Sequence, residues 1–429
     1  MPRLRVLVLA DSCNPQWPSL PVVGYKYARA LGQVADITLV THVRNRENIE
    51  SAGDMTGPVH YIDTEWLAGP MYRLASRLRG GSEVAWSTNQ MMAYLPYLAF
   101  ERQAWSHFRR SLNSGKFDLV HRITPMSPTL PSWMAGRAGL PFVIGPLNGN
   151  LDWPQQFTQE QKRERERLRK LRNLYKMLPF ARRTYQKSAA VLAAFEHTVK
   201  DLSFANPSQI VPMPEIGYDP AVFHCRDRMP AFSGKGPYRF LYVGRLVPYK
   251  LPEVAIKAFA GSKLLKDHFF HIVGDGPELK RLQDIVKDVG AESRIIFEGR
   301  KSQIEVADFM RRSDAFVFPS IRELGAGVVI EAMASGLPCI VTNYGAPGDL
   351  AAHGRGIRIP MSDINGLITA FRTKMEECAL AQEDTTSMVE KAVSYAASFY
   401  DWGQKAAYTL QVYKALIENN SLSNFKHYA

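Results

Sequence analysis

The sequence AFVFPSIRELGAGVVIEAMASGLP, residues 315–338, decides the fold of the region around it. Its apolar run Ala315–Phe318 predicts a buried strand. A turn with two glycines at 325–327 follows and begins a helix, which continues through Met333 and ends at Gly336. A buried strand, a tight turn and a helix in this order are typical of a parallel α/β sheet.

The turn and the helix carry two carboxylates, Glu323 and Glu331. The start of the helix exposes backbone N–H groups and the positive end of the helix dipole, which suits a phosphate group. Glu323 lies in the loop before this anion site. Glu331 lies within the helix, where it can accept hydrogen bonds from sugar hydroxyls. The alternative is that Glu323 is a loop charge and that Glu331 faces solvent.

Two further apolar runs, Phe240–Val243 and Phe269–Val273, each end in a glycine-containing turn. Ligands of open α/β sheets bind outside the carboxyl ends of the strands, so cations and glycines in these turns predict a ligand site. The glycines and cations of the two turns are Gly244, Arg245, Lys250, Gly274 and Gly276.

In combination, these three segments resemble the nucleotide-binding half of the retaining glycosyltransferases with the GT-B fold, called group 1 or family 4. The resemblance is strongest over residues 236–400 and includes Glu-Ala-Met-Ala-Ser-Gly-Leu-Pro at 331–338. It implies that Arg245 and Lys250 bind the donor diphosphate. It also implies that Glu323 contacts the transferred sugar. The implied donor-binding positions are Gly24, Gly244, Gly274, Gly276, Gly325, Ala326, Gly327, Val328 and the ribose ligand Glu331.

Apolar strands and helical patterns alternate along almost the whole chain of 429 residues and predict an α/β protein with two doubly wound, Rossmann-like domains. A connection rich in proline and glycine at 215–237 separates an N-terminal, acceptor-binding domain at 1–214 from a nucleotide-sugar-binding domain at 238–398. In the GT-B fold the domains face each other across a cleft, and a final helix, here at 399–420, crosses back. The strands predicted for the first domain are Leu4–Leu9, Asp36–Val40, Leu119–Val120 and Phe142–Ile144, with helices near Gly24–Leu31 and Met91–Leu112.

Two residues of the first half are candidates for contact with the reacting sugar. Many relatives place a histidine after the strand that corresponds to Phe142–Ile144, whereas this chain has the sequence GPLNGN at 145–150. The resemblance therefore implies that Asn148 donates a hydrogen bond from the same place. His121 is the nearest histidine candidate, and its alternative is a structural hydrogen-bonding role.

Positive charge is concentrated in the first half. Residues 1–234 hold 29 Lys and Arg against 19 Asp and Glu, and the remaining residues hold 24 against 22. Eleven of these cations fall in 160–187, which predicts a cationic helix that lies either on an anionic membrane surface or at solvent over a packed apolar stripe. The charge does not indicate nucleic-acid binding, because stacking aromatics and reader motifs are missing.

These observations predict a retaining glycosyltransferase that moves a sugar from a nucleoside diphosphate sugar of UDP or GDP type to a glycan or lipid-linked acceptor, in cell-envelope or extracellular polysaccharide synthesis. A sugar-nucleotide epimerase of the same fold and a non-catalytic nucleotide-sugar-binding scaffold are the alternatives. We expect no cofactor and no metal ion, because no Asp-x-Asp motif lies in a suitable loop. Four dispersed cysteines and no apolar run of roughly 18 residues predict a cytoplasmic protein, or one peripheral on the cytosolic face of a membrane.

Overall fold

The computed structural model describes residues 2–79, 86–163, 175–225, 236–380 and 385–425. The chain forms two compact units. The first unit comprises Met1–Asn150, Arg165–Gly217 and Trp402–Ala429, and the second comprises Leu151–Glu164 and Tyr218–Asp401. Among the described helices, none combines the length and the apolar character that a membrane span requires.

The first unit contains one parallel sheet. Its strands are β1 (Arg5–Ala10), β2 (Asp36–His42), β3 (Val59–Ile62), β4 (Leu119–Thr124), β5 (Phe142–Leu147), β6 (Ala190–Ala193) and β7 (Ile210–Val211). Their spatial order is β3-β2-β1-β4-β5-β6-β7. Every residue of β4, β5 and β6 is buried, which is the pattern of a parallel sheet covered on both faces.

The second unit contains another parallel sheet. Its strands are β8 (Arg239–Val243), β9 (Phe269–Val273), β10 (Ile295–Gly299), β11 (Ala315–Phe318), β12 (Cys339–Thr342) and β13 (Ile357–Ile359). Their order, β10-β9-β8-β11-β12-β13, is that of a doubly wound Rossmann sheet. In each sheet the order reverses beside the first strand, between β1 and β4 and between β8 and β11. Ligands of such sheets bind at this switch point.

The described helices surround these sheets. They are α1 (Leu20–Val34), α2 (Arg46–Ala52), α3 (Glu65–Arg79), α4 (Trp86–Asn113), α5 (Thr158–Arg163), α6 (Ala181–Gln186), α7 (Glu196–Val199), α8 (Pro252–Ala260), α9 (Leu279–Asp288), α10 (Gln303–Arg312), α11 (Gly327–Ala334), α12 (Gly345–Leu350), α13 (Ile364–Ala379), α14 (Thr386–Phe399) and α15 (Trp402–Ile417). The last of them, α15, packs on α1, where the hydroxyl groups of Tyr27 and Thr409 lie 2.5 Å apart.

The α/β class with two doubly wound sheets is confirmed, and all four strands predicted for the first domain form. The predicted boundary of the first domain differs from the observed one at Leu151–Glu164. This segment was predicted to lie in the first domain, but it belongs to the second unit. The Arg322 guanidinium lies 5.3 Å from the centroid of the Trp153 ring. The Tyr344 hydroxyl donates to the Asp152 carbonyl at 2.9 Å. These contacts attach the segment to the second sheet.

The predicted cationic helix at 160–187 is not one continuous element. Residues 164–174, with four of its arginines and Lys170, lie outside the described residues. In the described remainder, α6 starts only at Ala181. Phe180, immediately before α6, has a left-handed backbone conformation with φ of 71°. A single helix that reaches residue 187 is therefore wrong, because that backbone conformation does not continue a right-handed helix.

Candidate active site

The candidate site lies at the switch point of the second sheet. β8 and β11 are neighbours, and the loops that follow them are joined by a hydrogen bond of 3.0 Å from the Ile321 N–H to the Tyr249 carbonyl. The Ser320 hydroxyl donates to the same carbonyl at 3.4 Å. The two loops are thus fixed to each other at the sheet edge where ligands bind.

Lys250 and Glu323 form an ion pair between these loops. The ammonium group of Lys250 donates to Oε1 of Glu323, and the two side chains are only 11% and 14% exposed. The Ser320 hydroxyl donates to the same carboxylate oxygen at 3.1 Å. The Lys250 ammonium also lies 4.9 Å from the centroid of the Phe318 ring. The Lys250 cation is therefore stabilised by a carboxylate and an aromatic face instead of by water.

Two opposing effects set the pKa of Lys250. Burial lowers it, because surroundings of low dielectric constant disfavour the charged form. The nearby Glu323 carboxylate and the Tyr249 side chain raise it, and the charge of Arg245 lowers it. The net pKa of Lys250 is raised above the usual value, so this side chain is a cation at neutral pH.

Gly274 and Gly276 hold the turn after β9 against the turn after β8. Gly274 has φ of +145°, and a Cβ there would lie 2.0 Å from the Gly244 carbonyl oxygen. A Cβ on Gly276 would lie 2.4 Å from the Leu246 carbonyl oxygen. Only glycine permits this approach of two backbones. The two glycines therefore shape the loop that carries Lys250.

The start of α11 forms another wall of the site. Ala326 caps this helix in the left-handed conformation, with φ of 52° and ψ of 48°. Gly325 and Ala326 are buried, whereas Gly327 and Val328 are half-buried. The first N–H groups of a helix have no partner within the helix and can bind an anion. Glu331, one turn further along, is half-buried on the same short helix.

A cavity of about 270 Å³ brings together most of the residues predicted in the second unit. The predicted residues in its lining are Gly244, Lys250, Glu323, Ala326, Gly327, Val328 and Glu331. The other described lining residues were not predicted from the sequence: Phe223, Val243, Lys301, Gln303 and Val306. Lys301 and Gln303 follow β10 at the same sheet edge, so the strand-end rule that identified Lys250 could have found them.

Four of the residues predicted in the second unit lie outside this lining: Arg245, Gly274, Gly276 and Gly325. Arg245 is exposed and influences the cavity through its charge, which acts on Lys250. Direct contact of these four residues with a donor stays a prediction.

Asn148 of the first unit is held by a buried carboxylate. Its side-chain amide donates to Oε1 of Glu215, and its Oδ1 lies 3.4 Å from the Thr198 hydroxyl. Burial raises the pKa of Glu215 to about 7, although the hydrogen bonds that it accepts and the charge of Lys405 act in the lowering direction. One N–H of the Asn148 amide is thus committed to this carboxylate, and a contact of Asn148 with a sugar stays a prediction.

His121 is a core residue. Its side chain is fully buried, with Nε2 2.7 Å from the Gly145 carbonyl and Nδ1 against the Tyr413 hydroxyl. Burial lowers its pKa to about 4, so the imidazole is neutral at neutral pH. The predicted catalytic role is therefore not supported by its position. His121 instead connects β4 with β5 and α15.

Gly24 lies on α1 beside the loop that follows β1. A Cβ there would lie 2.6 Å from the Ser12 carbonyl oxygen and 3.0 Å from the Thr124 side chain. The close approach of α1 to this loop leaves no room for a side chain at position 24. The need for glycine there is thus explained by packing, without a ligand. Its predicted contact with the donor stays a prediction.

Residues 226–392 match the family described as Glycosyl transferases group 1. This region belongs to that family. The group 1 region includes β8 to β13, both residues of the Lys250–Glu323 ion pair and the start of α11. The predicted group 1 resemblance is thereby confirmed for this region.

Two relatives give the extent of the similarity. The UDP-Gal:alpha-D-GlcNAc-diphosphoundecaprenol alpha-1,3-galactosyltransferase of Escherichia coli is 28% identical over 274 residues, which cover 61% of this chain and 67% of that protein. The glycogen synthase of Mycobacterium tuberculosis is 31% identical over 188 residues, 42% of this chain and 43% of that protein. The chain thus spans less than half the length of the mycobacterial enzyme.

Solved structures share the fold at low identity. A glycosyltransferase from Rickettsia africae has a TM-score of 0.65 and 13% identity, over 97% of this chain and 100% of that chain. Anabaena HepE, in complex with UDP and glucose, has a TM-score of 0.59 and 17% identity, over 95% and 100%. At such identities the similarity shows the fold alone, which is GT-B.

Proposed function

We propose that this chain is a glycosyltransferase that moves a sugar from a nucleoside diphosphate sugar of UDP or GDP type to a glycan or lipid-linked acceptor, with retention of the anomeric configuration. The observation that carries this proposal is the cavity of the second unit, which combines the Lys250–Glu323 pair with the start of α11. The role would lie in cell-envelope or extracellular polysaccharide synthesis.

The cavity offers a place for each part of such a donor. The Lys250 ammonium and the N–H groups at the start of α11 suit the diphosphate, and Glu331 suits the ribose hydroxyls. Glu323 would contact the transferred sugar. Lys301, which also lines the cavity, adds a second ammonium group for the phosphates.

The reaction then needs stabilisation of the leaving group above all. The bond between the anomeric carbon and the β-phosphate oxygen breaks, and its electron pair stays on the phosphate. The acceptor hydroxyl forms the new bond on the same face of the sugar, and its proton passes to the departing phosphate. Cations and helix N–H groups that are already oriented towards the growing negative charge lower this barrier.

Relatives support the class of donor and acceptor. The HepE structure contains UDP and glucose, and the name of the E. coli relative specifies a UDP-galactose donor and an acceptor on diphosphoundecaprenol. We therefore propose a UDP-sugar before a GDP-sugar. We also propose that the reaction needs no cofactor and no metal ion, because Lys250 and the helix start can take the charge of the diphosphate. Unchanged turnover after treatment with a chelator would support this part.

A panel of nucleotide sugars tests the proposal. The purified protein is incubated with UDP-glucose, UDP-galactose, UDP-N-acetylglucosamine and GDP-mannose, with and without neutral oligosaccharides, and nucleoside diphosphate release is measured. NMR of the product reads the anomeric configuration. Release that depends on an acceptor supports a transferase. A change in the sugar of the donor without transfer indicates an epimerase, and binding without any turnover indicates a scaffold.

We further propose that the described part of the cationic segment, residues 175–187, contacts an anionic membrane surface. Arg182 and Lys187 are exposed, and Met177 is an exposed apolar side chain with 81% of its surface accessible. Lys176 pairs with Asp201 at 3.4 Å, so it contributes less free charge. Cations beside an exposed apolar group are the combination that binds to a lipid interface.

A further inference from the structure

The loop that follows β5 is held by buried hydrogen bonds within the first unit. The backbone N–H of Asn148 donates to the Met126 carbonyl at 2.7 Å. Its side-chain amide donates to Oε1 of Glu215, and the Thr198 hydroxyl lies 3.4 Å from its Oδ1. The same hydroxyl accepts from the Gly149 N–H at 3.1 Å. Both ends of the Asn148 amide therefore have a partner, and Glu215 holds the end that donates.

This loop lies at the carboxyl end of its strand. β5 ends at Leu147, directly before Asn148, and β5 is the neighbour of β4, which lies at the switch point of the first sheet. Ligands of doubly wound sheets bind at this edge. The orientation of the Asn148 amide can therefore affect a reaction at this edge, and so can the group that fixes that orientation.

Glu215 is buried, and only one of its two oxygens has a partner. Oε1 accepts from the Asn148 amide, whereas Oε2 is buried without a hydrogen-bond partner in the described part of the chain. An unpaired buried oxygen disfavours the charged form of a carboxyl group relative to the neutral acid. Burial raises the pKa of Glu215 to about 7, so this carboxyl can gain or lose its proton near neutral pH.

Lys405 of α15 supplies the charge that acts on this carboxyl. Its side chain is fully buried, and its ammonium group donates to the carbonyl of Pro214, the residue directly before Glu215. Nζ also lies 3.5 Å from Sδ of Met213. Of the charged groups described, only Lys405 affects the pKa of Glu215, which it lowers against the larger effect of burial. Burial likewise lowers the pKa of Lys405 to about 7, and the Glu215 carboxylate acts in the raising direction.

The other titratable groups around this pair keep one charge state near neutral pH. The Tyr27 ring centroid lies 6.0 Å from the buried ammonium group, and burial raises the pKa of this tyrosine. Burial lowers the pKa of His121 and of His197, which precedes Thr198, to about 4. The ion pair of Glu196 and Lys200 on α7 has both side chains more than two-thirds exposed, so it faces water.

We propose that Glu215 is a positioning residue for sugar transfer, and that its ionised form, controlled by the charge of Lys405, fixes the Asn148 amide. A carboxylate accepts a stronger hydrogen bond than a neutral carboxylic acid does. Proton uptake by Glu215 should therefore loosen the amide, and proton release should fix it again. The effect on transfer rests on the proposed function, whereas the hydrogen bond requires neither a donor nor turnover.

The first measurement follows both groups by NMR in the full chain. Labelling of asparagine with ¹⁵N shows the Asn148 side-chain amide, which Asn148→Ser identifies, and labelling of glutamate with ¹³C at Cδ shows the Glu215 carboxyl, which Glu215→Gln identifies. We expect the two signals to move together between about pH 6 and about pH 8, with one midpoint. In Lys405→Met the midpoint should move to higher pH, because the charge that lowers the pKa of Glu215 is lost.

The second measurement is turnover on a water-soluble acceptor under saturating donor. Wild-type kcat should fall as the pH drops below about 7, and this fall should begin at higher pH in Lys405→Met. In Glu215→Gln, kcat at about pH 8 should be about tenfold lower, since a hydrogen bond to a charged group is weakened, and the fall at acid pH should disappear. Affinity for nucleoside diphosphate, read by calorimetry, should stay at the wild-type value, because the donor cavity lies in the second unit.

Asp118→Asn is the matched control for a structural effect. Asp118 accepts three hydrogen bonds from Arg5, at 2.6 to 3.2 Å, and directly precedes β4 at the opposite edge of the same sheet. This variant should be less stable in urea but should keep the wild-type kcat and its pH profile.

The proposal is overturned if the Asn148 signal does not move with that of Glu215, if Glu215→Gln keeps the fall of kcat at acid pH, or if Asp118→Asn lowers kcat as much as Glu215→Gln does. A wild-type protein without turnover, in which the two NMR signals still move together, would contradict the proposed function alone.

Discussion

The ion pair between Lys250 and Glu323 must change when a diphosphate enters the cavity, because phosphate oxygens and the Glu323 carboxylate compete for one ammonium group. The two residues are 73 positions apart in the chain, and their side chains meet because β8 and β11 are neighbours at the switch point. Strand ends can be located from apolar runs and turns, so the sequence predicted both residues at one site. It could not predict that they bind each other, since that depends on side-chain packing with Ser320 and Phe318.

The first expectation concerns Lys250 as the main phosphate cation. Lys250→Ala should lower turnover by about 10²-fold or more, on the scale of one lost preorganised group. Lys280→Ala, at a side chain that is 82% exposed in the same unit, is the matched control and should leave turnover unchanged. The measurement is nucleoside diphosphate release under saturating donor. Wild-type turnover in a folded Lys250→Ala protein would contradict the assignment.

A second expectation follows from the pKa of Lys250. Glu323→Gln removes the carboxylate that raises this pKa, while the burial that lowers it remains. Lys250 in the variant should therefore lose its proton at a lower pH than in the wild type. Calorimetry of nucleoside diphosphate binding between about pH 7 and about pH 10 checks this. The alkaline loss of affinity should move to lower pH in Glu323→Gln, and an unmoved profile would show that the pair does not control the charge.

At the scale of elements, the long parallel strands and helices were predictable, whereas short elements and side attachments were not. β1 and β2 have apolar runs that identify them, but β7 has only two residues and no pattern of its own. The attachment of Leu151–Glu164 to the second unit depends on contacts with Arg322 and Tyr344, far along the chain. Periodicity in a local window contains no information on such contacts.

The turn after β9 allows a test of how backbone shape positions the site. In Gly274→Ala the new Cβ would clash with the Gly244 carbonyl, so we expect the free energy of unfolding to fall by about 2–4 kcal/mol, from a strained backbone and an overpacked contact together. Gly290→Ala is the control. Gly290 also has a positive φ, +63°, but no described atom lies within 4 Å of the added Cβ. This control should cost only about 1–2 kcal/mol and spare nucleotide affinity. Urea unfolding and calorimetry compare the two, and equal effects would mean that the approach of the turns is unimportant.

His121 connects three elements of the first unit and should make that unit sensitive to acid. Its pKa is lowered to about 4 by burial, against about 6.5 in an unfolded chain. A lowered pKa means that the stabilisation is complete above about pH 6.5 and is lost as the pH falls towards 4, because the unfolded chain binds the proton first. Over this range the loss from His121 is about 3 kcal/mol. His121→Gln does not titrate, so its urea midpoint should fall less between about pH 7 and about pH 5. The same fall in both proteins would contradict this account.

At the scale of the whole chain, charge is the property that differs most between the two halves. Residues 1–234 carry a net charge of +10 of the total +12. A field of this sign attracts anionic surfaces and is screened by salt over a Debye length of about 8 Å at physiological ionic strength. The sequence identified the concentration of charge at 160–187, but it could not show that the backbone turns at Phe180 and leaves Arg182 on a separate short helix, α6.

The proposed contact with an anionic membrane can be decided by charge reversal at two described cations. In Arg182→Glu combined with Lys187→Glu, each reversed charge should remove about 1 kcal/mol of attraction and add a comparable repulsion. Co-sedimentation with vesicles that contain phosphatidylserine should therefore fall steeply, while transfer to a short water-soluble acceptor stays near the wild-type rate, because the donor cavity lies in the second unit. Lys266→Glu combined with Lys287→Glu makes the same change in net charge at exposed positions of that second unit and should leave co-sedimentation almost unchanged. Equal losses of co-sedimentation in the two double variants would mean that net charge alone drives binding. If the wild-type protein fails to sediment with these vesicles, residues 175–187 form only a solvent-facing surface.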